Sequence, residues 1–370
     1  MKSKQLLLVV RWFVGLLFIM SGLVKANDPL GLSYKMQEFF EAWGTHAFHD
    51  YTLALSIGMN IFEILAGVAV IVGWRMRLFS WLLLLLIIFF TFLTGYAYLS
   101  GKFKSCGCFG DCLPLTPLQS FLKDLLLLAL ILILFVNRFK VKSSLGISVP
   151  ITLLIVVITA GWLQGYVLQH LPIVDCLPYK KGNNLLEQMK VPPGALPDSF
   201  AITFKYKKDG KISEFSMDSL PSEEEGYEYV DRYDKLVRKG NAIPKIEDFA
   251  LTTQSGNDTL HAVLEQSTGY IMIFVQNFKQ WDKAAPAFER TLTAAHNYKL
   301  PVFIVTPAPA DAAAVLKDKP VTILTCDATV VKTAARVVPT LFLMIGPRVV
   351  EKKSYRDVES FVSVVGKMHS

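Results

Sequence analysis

Five long apolar runs occupy the first 171 residues of this 370-residue chain. A bilayer hydrocarbon core is about 30 Å thick and is crossed by about 20 apolar helical residues, so each run is long enough to span a membrane. Charged residues gather after residue 171, which predicts a water-soluble second half. This division excludes a disordered chain, a fibrous repeat and a simple cytosolic enzyme. The runs are residues 6 to 24, 51 to 73, 78 to 99, 118 to 136 and 147 to 169.

Positive charges flank alternate runs and predict the orientation. Short loops that are rich in Lys and Arg stay on the cytoplasmic side of a membrane. With a cytoplasmic N-terminus, the segment 101 to 117 and everything after Leu171 lie on the outer side, which for a bacterial inner membrane is the periplasm. The first run is long and no clean cleavage pattern follows it, so we expect a retained span and not a signal peptide. The flanking charges are Lys2, Lys4, Arg75, Arg77, Arg138, Lys140 and Lys142.

One side of the first run carries charged and small residues. Five residues, spaced alternately by four and three positions, share one face of a helix. Charges are costly at membrane depth, so we expect this face to look into a helical bundle. Its two glycines would allow a neighbouring helix to approach closely. The face consists of Arg11, Gly15, Phe18, Gly22 and Lys25.

Two carboxylates within the runs are candidates for function. Glu63 lies near the middle of the second run, and Arg11 is its predicted counter-charge. Asp124 enters the fourth run beside Lys123, which points about 100° away from it on a helix, so the two need not pair. We expect Asp124 either to pair with Lys25 or to accept protons near the cysteines. A structural ion pair and a proton or ligand role both stay open for these residues.

The cysteines are few and clustered. Cys106, Cys108 and Cys112 fall within seven residues, and Cys176 lies just beyond the fifth run. Thiols that face an oxidising compartment indicate disulfide chemistry. Cys176 is expected at the same membrane surface as the cluster, either as a resolving partner in thiol–disulfide exchange or as half of a static disulfide. No metal is expected, because the cluster lacks the paired four-ligand spacing of zinc sites.

These features together resemble the DoxX/MauE superfamily over residues 1 to 140. Its members are four-helix membrane proteins, and the MauE branch is implicated in periplasmic disulfide formation during maturation of methylamine dehydrogenase. The resemblance rests on the face of the first run, on Glu63 and on the cysteine motif. That motif reads Ser105-Cys106-Gly107-Cys108-Phe109-Gly110-Asp111, and it is followed by Ser120-Phe121-Leu122-Lys123-Asp124.

The resemblance implies a redox function and a set of site residues. Cys106 and Cys108 would form the membrane redox pair, with a bound quinone as their electron acceptor, in the manner of vitamin K epoxide reductase relatives. The predicted catalytic residues are Cys106, Cys108, Cys112, Cys176 and Asp124. The predicted cofactor-binding residues are Arg11, Lys25, Glu63 and Lys123.

The second half begins with a polar segment and continues as an α/β pattern. Residues 200 to 207 alternate as a strand, Asp209-Gly210 supplies a turn, and residues 211 to 217 return, which predicts a β-hairpin. From Ile243 onward, strands and helices alternate, as is typical of an α/β domain. The strand around Pro339 resembles the cis-proline strand of the thioredoxin fold, and residues 243 to 249 resemble the entry of TlpA-type domains.

The thioredoxin-like domain lacks its family's reactive motif. Residues 276 to 282 stand where Cys-x-x-Cys is expected and contain no cysteine, so thioredoxin chemistry is absent there. We therefore interpret the domain as a docking or recognition module for peptides or a partner redox protein. Cys326 is predicted to be a buried bystander, since free cysteine is among the most buried residue types.

The sequence thus predicts an α-helical membrane bundle with a fifth transmembrane helix, followed by a soluble α/β thioredoxin-like domain. Its segments are 1–140, 141–175, 176–242 and 243–370. The leading hypothesis is a membrane thiol:disulfide redox protein, whose partners are the bilayer and periplasmic or envelope proteins. A redox-inert scaffold and a small-molecule or lipid-binding subunit are the alternatives, so enzymatic activity stays open. Nucleic acid is excluded as a partner because no dense basic patch is present.

Overall fold

The computed structural model describes residues 2–103, 107, 109–141, 146–222, 226–238 and 240–368. Five of its helices are long and apolar enough to cross a membrane, which confirms the five predicted runs to within a few residues. A shorter helix, α2, was not predicted and lies between the first two spans. The bundle consists of α1 (Lys2–Asn27), α2 (Pro29–Ala42), α3 (Thr52–Val72), α4 (Met76–Ser100), α5 (Pro117–Val136) and α6 (Ser148–His170).

Helices α1 and α3 pack closely through glycines. A Cβ atom added to Gly15 would lie 2.4 Å from Cγ1 of Ile71, and one added to Gly67 would lie 2.6 Å from the carbonyl oxygen of Gly15. No side chain fits in that space, so these positions allow the two backbones to touch. The contact confirms that the predicted face of α1 looks into the bundle.

Helix α2 closes one end of the bundle. Asp28 caps its first turn by accepting a hydrogen bond from the amide of Gly31 at 3.1 Å. The hydroxyl of Ser33 donates to Thr52 at the start of α3, at 2.9 Å. The C-termini of α1, α4 and α6 lie at the same end of the bundle as α2. We call it the cysteine end because it carries Cys112 and Cys176.

A small three-stranded antiparallel sheet follows the bundle. Its strands are ordered β2-β1-β3, and the predicted hairpin forms its first two strands. The third strand was not predicted. The elements of this region are α7 (Leu185–Gln188), β1 (Ser199–Lys208), β2 (Lys211–Ser216) and β3 (Glu228–Arg238).

The C-terminal domain is a five-stranded sheet with the order β6-β5-β4-β7-β8. Strands β4, β5 and β6 are parallel to one another. Strand β7 pairs antiparallel with β4 on one side and with β8 on the other. The peptide bond between Val338 and Pro339 is cis. This is the thioredoxin-like α/β domain that the sequence predicts. Its elements are α8 (Leu260–Leu264), β4 (Gly269–Phe274), α9 (Trp281–Asn297), β5 (Val302–Thr306), α10 (Pro309–Val315), β6 (Thr322–Thr325), α11 (Ala328–Ala334), β7 (Thr340–Ile345), β8 (Arg348–Ser354) and α12 (Val358–Lys367).

Both faces of the five-stranded sheet are covered. Ile271 of β4 points into a core formed with Phe288 of α9 and Phe361 of α12. The opposite face packs against α8, α11 and the segment 177–189, from which Leu185 is fully buried. That segment is therefore part of the core of the C-terminal domain.

The edge strand β8 rests on the end of α6. The ammonium of Lys352 lies 2.7 Å from the carboxylate of Asp175, and the hydroxyl of Ser354 donates to the carbonyl of Gln169 at 2.5 Å. Burial lowers the pKa of Lys352, although the charge of Asp175 opposes the shift. These contacts hold the thioredoxin-like domain at the cysteine end of the bundle.

Candidate functional site

A cavity of about 220 Å³ lies inside the bundle near the cysteine end. We call it the inner cavity. Its walls are mostly aromatic and aliphatic, and polar side chains interrupt them. The apolar walls include Phe18, Phe39, Phe90, Leu93 and Phe109, and the polar residues of the spans that line it include Lys25, Glu63, Thr94, Lys123 and Asp124.

Lys25 and Glu63 form a buried ion pair in the wall of the inner cavity. The Lys25 ammonium donates to Oε1 of Glu63, and both side chains are almost fully buried. The other carboxylate oxygen, Oε2, is buried and has no hydrogen-bond partner among the described residues. An unsatisfied buried carboxylate oxygen is costly, so this atom is suited to receive a hydrogen bond from a ligand.

The predicted pairing of Arg11 with Glu63 is wrong. The Arg11 guanidinium instead donates to the carbonyls of Val70 and Ile71 at 3.1 and 2.7 Å, where α3 ends. Helices α1 and α3 run antiparallel, and Arg11 lies 14 residues before Lys25, a rise of about 21 Å along a helix. Arg11 therefore sits far from the inner cavity and caps α3, while Lys25 lies level with Glu63.

Of the two alternatives for Asp124, the pairing with Lys25 is wrong. Asp124 accepts hydrogen bonds from the neighbouring Lys123 at 2.5 Å and from Thr94 at 3.0 Å, one on each carboxylate oxygen. Adjacent residues on a helix need not pair, but here the long Lys123 side chain reaches its neighbour. Lys25, Glu63, Lys123 and Asp124 still meet at one cavity, as candidate site residues should.

The cysteine loop, residues 101 to 116 between α4 and α5, contributes described residues to the wall of the inner cavity. Cys106 and Cys108 lie outside the described residues, but Gly107 between them lines the inner cavity together with Phe109. Further along the loop, Cys112 forms a disulfide with Cys176, with their Cα atoms 4.9 Å apart. This disulfide is compatible with Cys176 as a resolving partner in thiol–disulfide exchange and with Cys176 as half of a static disulfide.

A second, larger cavity is lined by the later part of the loop. We call this space of about 610 Å³ the outer cleft. It is bounded by α2, the cysteine loop, the segment after α6 and the thioredoxin-like domain. Cys112 and Cys176 both line it, with Cys112 exposed and Cys176 half-buried.

A buried arginine joins the thioredoxin-like domain to the cysteine loop. The guanidinium of Arg336, three residues before Pro339, lies 2.8 Å from Asp28 and 2.8 Å from Asp111. Burial lowers the pKa of Arg336, but the two carboxylates outweigh it and leave the pKa raised. Sequence reasoning missed this contact, because no local signal links positions 28, 111 and 336. Asp111 belongs to the cysteine motif, so the domain holds the loop directly.

The thioredoxin-type site itself holds no thiol. The side-chain amide of Gln276 donates to the backbone carbonyl of Ala335 at 2.6 Å. Pro339 lines a nearby cavity of about 300 Å³. Cys326 lies elsewhere in the domain and is buried, as predicted. Burial, with a smaller effect from the charge of Asp327, raises the pKa of Cys326 to about 12.

Cys326 should resist alkylation in the folded protein. The rise of its pKa from 9.0 to about 12 lowers its thiolate population at pH 8 about a thousandfold, and burial restricts access further. Alkylation with iodoacetamide at pH 8, followed by peptide mass spectrometry, should label Cys326 only after denaturation. Rapid labelling of Cys326 in the native protein would contradict this prediction.

Comparisons with known proteins fit this architecture. The family described as methylamine utilisation protein MauE matches residues 3–137, and a domain of unknown function matches residues 200–239. Protein TlpB of Flavobacterium psychrophilum is 23% identical over 246 residues, which cover 64% of this chain and 66% of the relative, just under two thirds of its length. No solved structure matches the chain significantly. With its five spans and its five-stranded α/β sheet, the chain is a MauE-like membrane protein with a C-terminal thioredoxin-like domain.

Proposed function

We propose that this protein is a thiol–disulfide oxidoreductase of the bacterial inner membrane that passes electrons from outer thiols to a quinone through its cysteine loop. One observation carries the proposal: described residues of the loop line two different cavities. Gly107 and Phe109 line the inner cavity, whereas Asp111 and Cys112 line the outer cleft. A loop in this position can exchange disulfides on one side and deliver electrons on the other.

The inner cavity fits a quinone headgroup. A cavity of about 150 Å³ is enough to hold benzene, so about 220 Å³ admits a substituted ring. The ammonium groups of Lys25 and Lys123 are donors for its carbonyl oxygens, and Oε2 of Glu63 is a free acceptor for a hydroxyl. When bound, a quinone supplies an acceptor for two electrons and two protons. Arg11 takes no part, because it lies at the far end of α1.

The proton and electron balance assigns different roles to the two carboxylates. Oxidation of the Cys106 and Cys108 thiols to a disulfide releases two electrons and two protons, which a bound quinone would accept. Both oxygens of Asp124 are already hydrogen-bonded, so Asp124 holds Lys123 in place. Glu63 has the free oxygen and is the better candidate for handling protons.

The proposed orientation places the cysteine end in the periplasm. The loops that are rich in Lys and Arg lie at the opposite end of the bundle, where α1 begins and α3 and α5 end. The outer cleft would then face an oxidising compartment, where thiol-bearing periplasmic or envelope proteins are the partners.

Quinone reduction by the full-length protein tests the proposal. The protein is reconstituted into lipid nanodiscs with a short-chain quinone and a reduced two-cysteine peptide, and the absorbance of the quinone is followed. The Cys106→Ser/Cys108→Ser variant should lose at least about a hundredfold in rate, as expected when an active thiol pair is removed. The control Cys326→Ser should keep the wild-type rate. Unchanged turnover without Cys106 and Cys108 would refute the proposal and favour the redox-inert scaffold.

A further inference from the structure

We propose that the outer cleft binds an extended acidic segment of a client protein and directs its cysteine onto Cys112 of the Cys112–Cys176 disulfide. This inference rests on the proposed function and assigns its client site. The Cys112–Cys176 bond would be the disulfide that meets the client. The cysteine-free thioredoxin-like domain would then act as one wall of the binding site.

The position of the disulfide selects the atom that is attacked. Both of its cysteines line the outer cleft, but Cys112 is exposed and Cys176 is half-buried. Thiol–disulfide exchange depends on access to the sulfur that is attacked. An incoming thiolate therefore reaches Cys112 first, and Cys176 is the leaving group.

The size and walls of the outer cleft suit a polypeptide segment. Its volume of about 610 Å³ falls within the range of about 300 to 1,000 Å³ that is typical of ligand sites. One wall is α2, with Tyr34, and the opposite wall is α11, with Thr329 and Thr333. Arg336 links the two walls through Asp28 and Asp111.

The charge of the outer cleft favours acidic clients. Arg336 with its two aspartates carries a net charge of −1, and Lys35 is neutralised by Glu38 at 2.9 Å. Among the described residues that line the cleft, three further lysines have no carboxylate partner. One carboxylate of this lining, Glu41, has no cationic partner. The remaining cations are Lys180, Lys245 and Lys332. A surplus of positive charge in a cleft attracts acidic segments and raises their association rate.

The exchange balances without any further oxidant. A client thiolate attacks Sγ of Cys112, a new bond forms between the two sulfurs, and the Cys112–Cys176 bond breaks with its electron pair on Cys176. A second client thiolate then attacks the client sulfur of this mixed disulfide and releases Cys112 as a thiolate. The client gains a disulfide and loses two electrons, and the cysteine pair of the protein gains them.

Trapping of the mixed disulfide tests the inference. The oxidised full-length protein in nanodiscs is mixed, without quinone, with peptides that carry one cysteine and either aspartate or lysine flanks, and adducts are mapped by mass spectrometry. We expect the adduct on Cys112, formed about tenfold or more faster with the acidic peptide. The Lys180→Glu/Lys245→Glu variant should abolish this preference. The control Lys207→Glu/Lys317→Glu, which changes the same charge outside the cleft, should retain it.

Three results would overturn the inference: an adduct mainly on Cys176, equal rates for the two peptides, or loss of the preference in the control variant. Failure of the proposed function is separable from these results. The Cys106→Ser/Cys108→Ser variant should still form the adduct, because one turnover needs only Cys112 and Cys176. An adduct in a wild-type protein that does not reduce quinone would refute the proposed function alone. Quinone turnover without any adduct on Cys112 would refute the client site alone.

Discussion

Replacing Lys25 with methionine should destabilise the protein by about 3–5 kcal/mol. The change leaves the carboxylate of Glu63 buried without its cation, and breaking a buried ion pair from one side carries a cost of that order. The double variant Lys25→Met/Glu63→Leu removes both charges and should regain most of the lost stability, because a well-packed apolar pair can replace a buried ion pair. Thermal unfolding in detergent measures these effects. The wild type is compared with Lys25→Met, Glu63→Leu and the double variant.

Quinone reduction then separates a structural pair from a functional one. The double variant Lys25→Met/Glu63→Leu should fold and yet lose quinone reduction, because it removes both a donor and the free acceptor Oε2 from the inner cavity. The matched control is Asn60→Leu/Gln164→Leu, which removes a buried hydrogen bond of 3.0 Å between α3 and α6 whose residues do not line the cavity. That control should keep the wild-type rate. A stable double variant with full activity would show that the pair only fixes helix register.

Replacing Arg336 with methionine should release the thioredoxin-like domain from the cysteine loop. Arg336 is buried, and its removal leaves Asp28 and Asp111 without their cation, so we expect docking to weaken by about 3–5 kcal/mol. The backbone amides of α2 and α11 should exchange with deuterium more than about a hundredfold faster, since each 1.4 kcal/mol is a factor of about ten in the opening equilibrium. Hydrogen–deuterium exchange mass spectrometry of the full chain in nanodiscs measures this change.

A matched arginine on the surface provides the control. Arg232 lies 2.8 Å from Asp234 in β3, and both side chains are exposed. The Arg232→Met variant should leave exchange in α2 and α11 unchanged, because exposed ion pairs contribute little. Unchanged exchange in the Arg336→Met variant would mean that the contacts of β8 with α6 suffice to dock the domain.

The sequence predicts the membrane spans and the α/β domain well for a physical reason. A run of 20 apolar residues has few alternatives to a transmembrane helix, and regular strand–helix alternation strongly indicates an α/β sheet. Helix α2 has 14 residues and mixed polarity, which is too short for a span, so a search for long apolar runs misses it. Strand β3 places charged residues on both faces, which hides the alternation of a half-buried strand.

The contacts of the candidate site could be predicted only in part. The charges in the spans were correctly expected to face the bundle, but their pairing depends on the register between antiparallel helices. That register is set by the glycine contact of Gly15 with Gly67, which aligns Lys25 with Glu63 and carries Arg11 to the end of α3. Arg336 meets Asp111 across 225 positions of sequence, and only the tertiary fold brings them together.

The Cys112–Cys176 bond also changes what holds the chain together. It spans 64 positions of sequence and encloses α5 and α6 in a covalent ring. A single protease cut anywhere between residues 113 and 175 therefore leaves one covalently connected molecule for as long as the bond is intact. Reduction converts that nicked molecule into two fragments. A protease site engineered into this interval would thus turn the redox state of the outer disulfide into a difference in mobility on a non-reducing gel, read directly from whole cells.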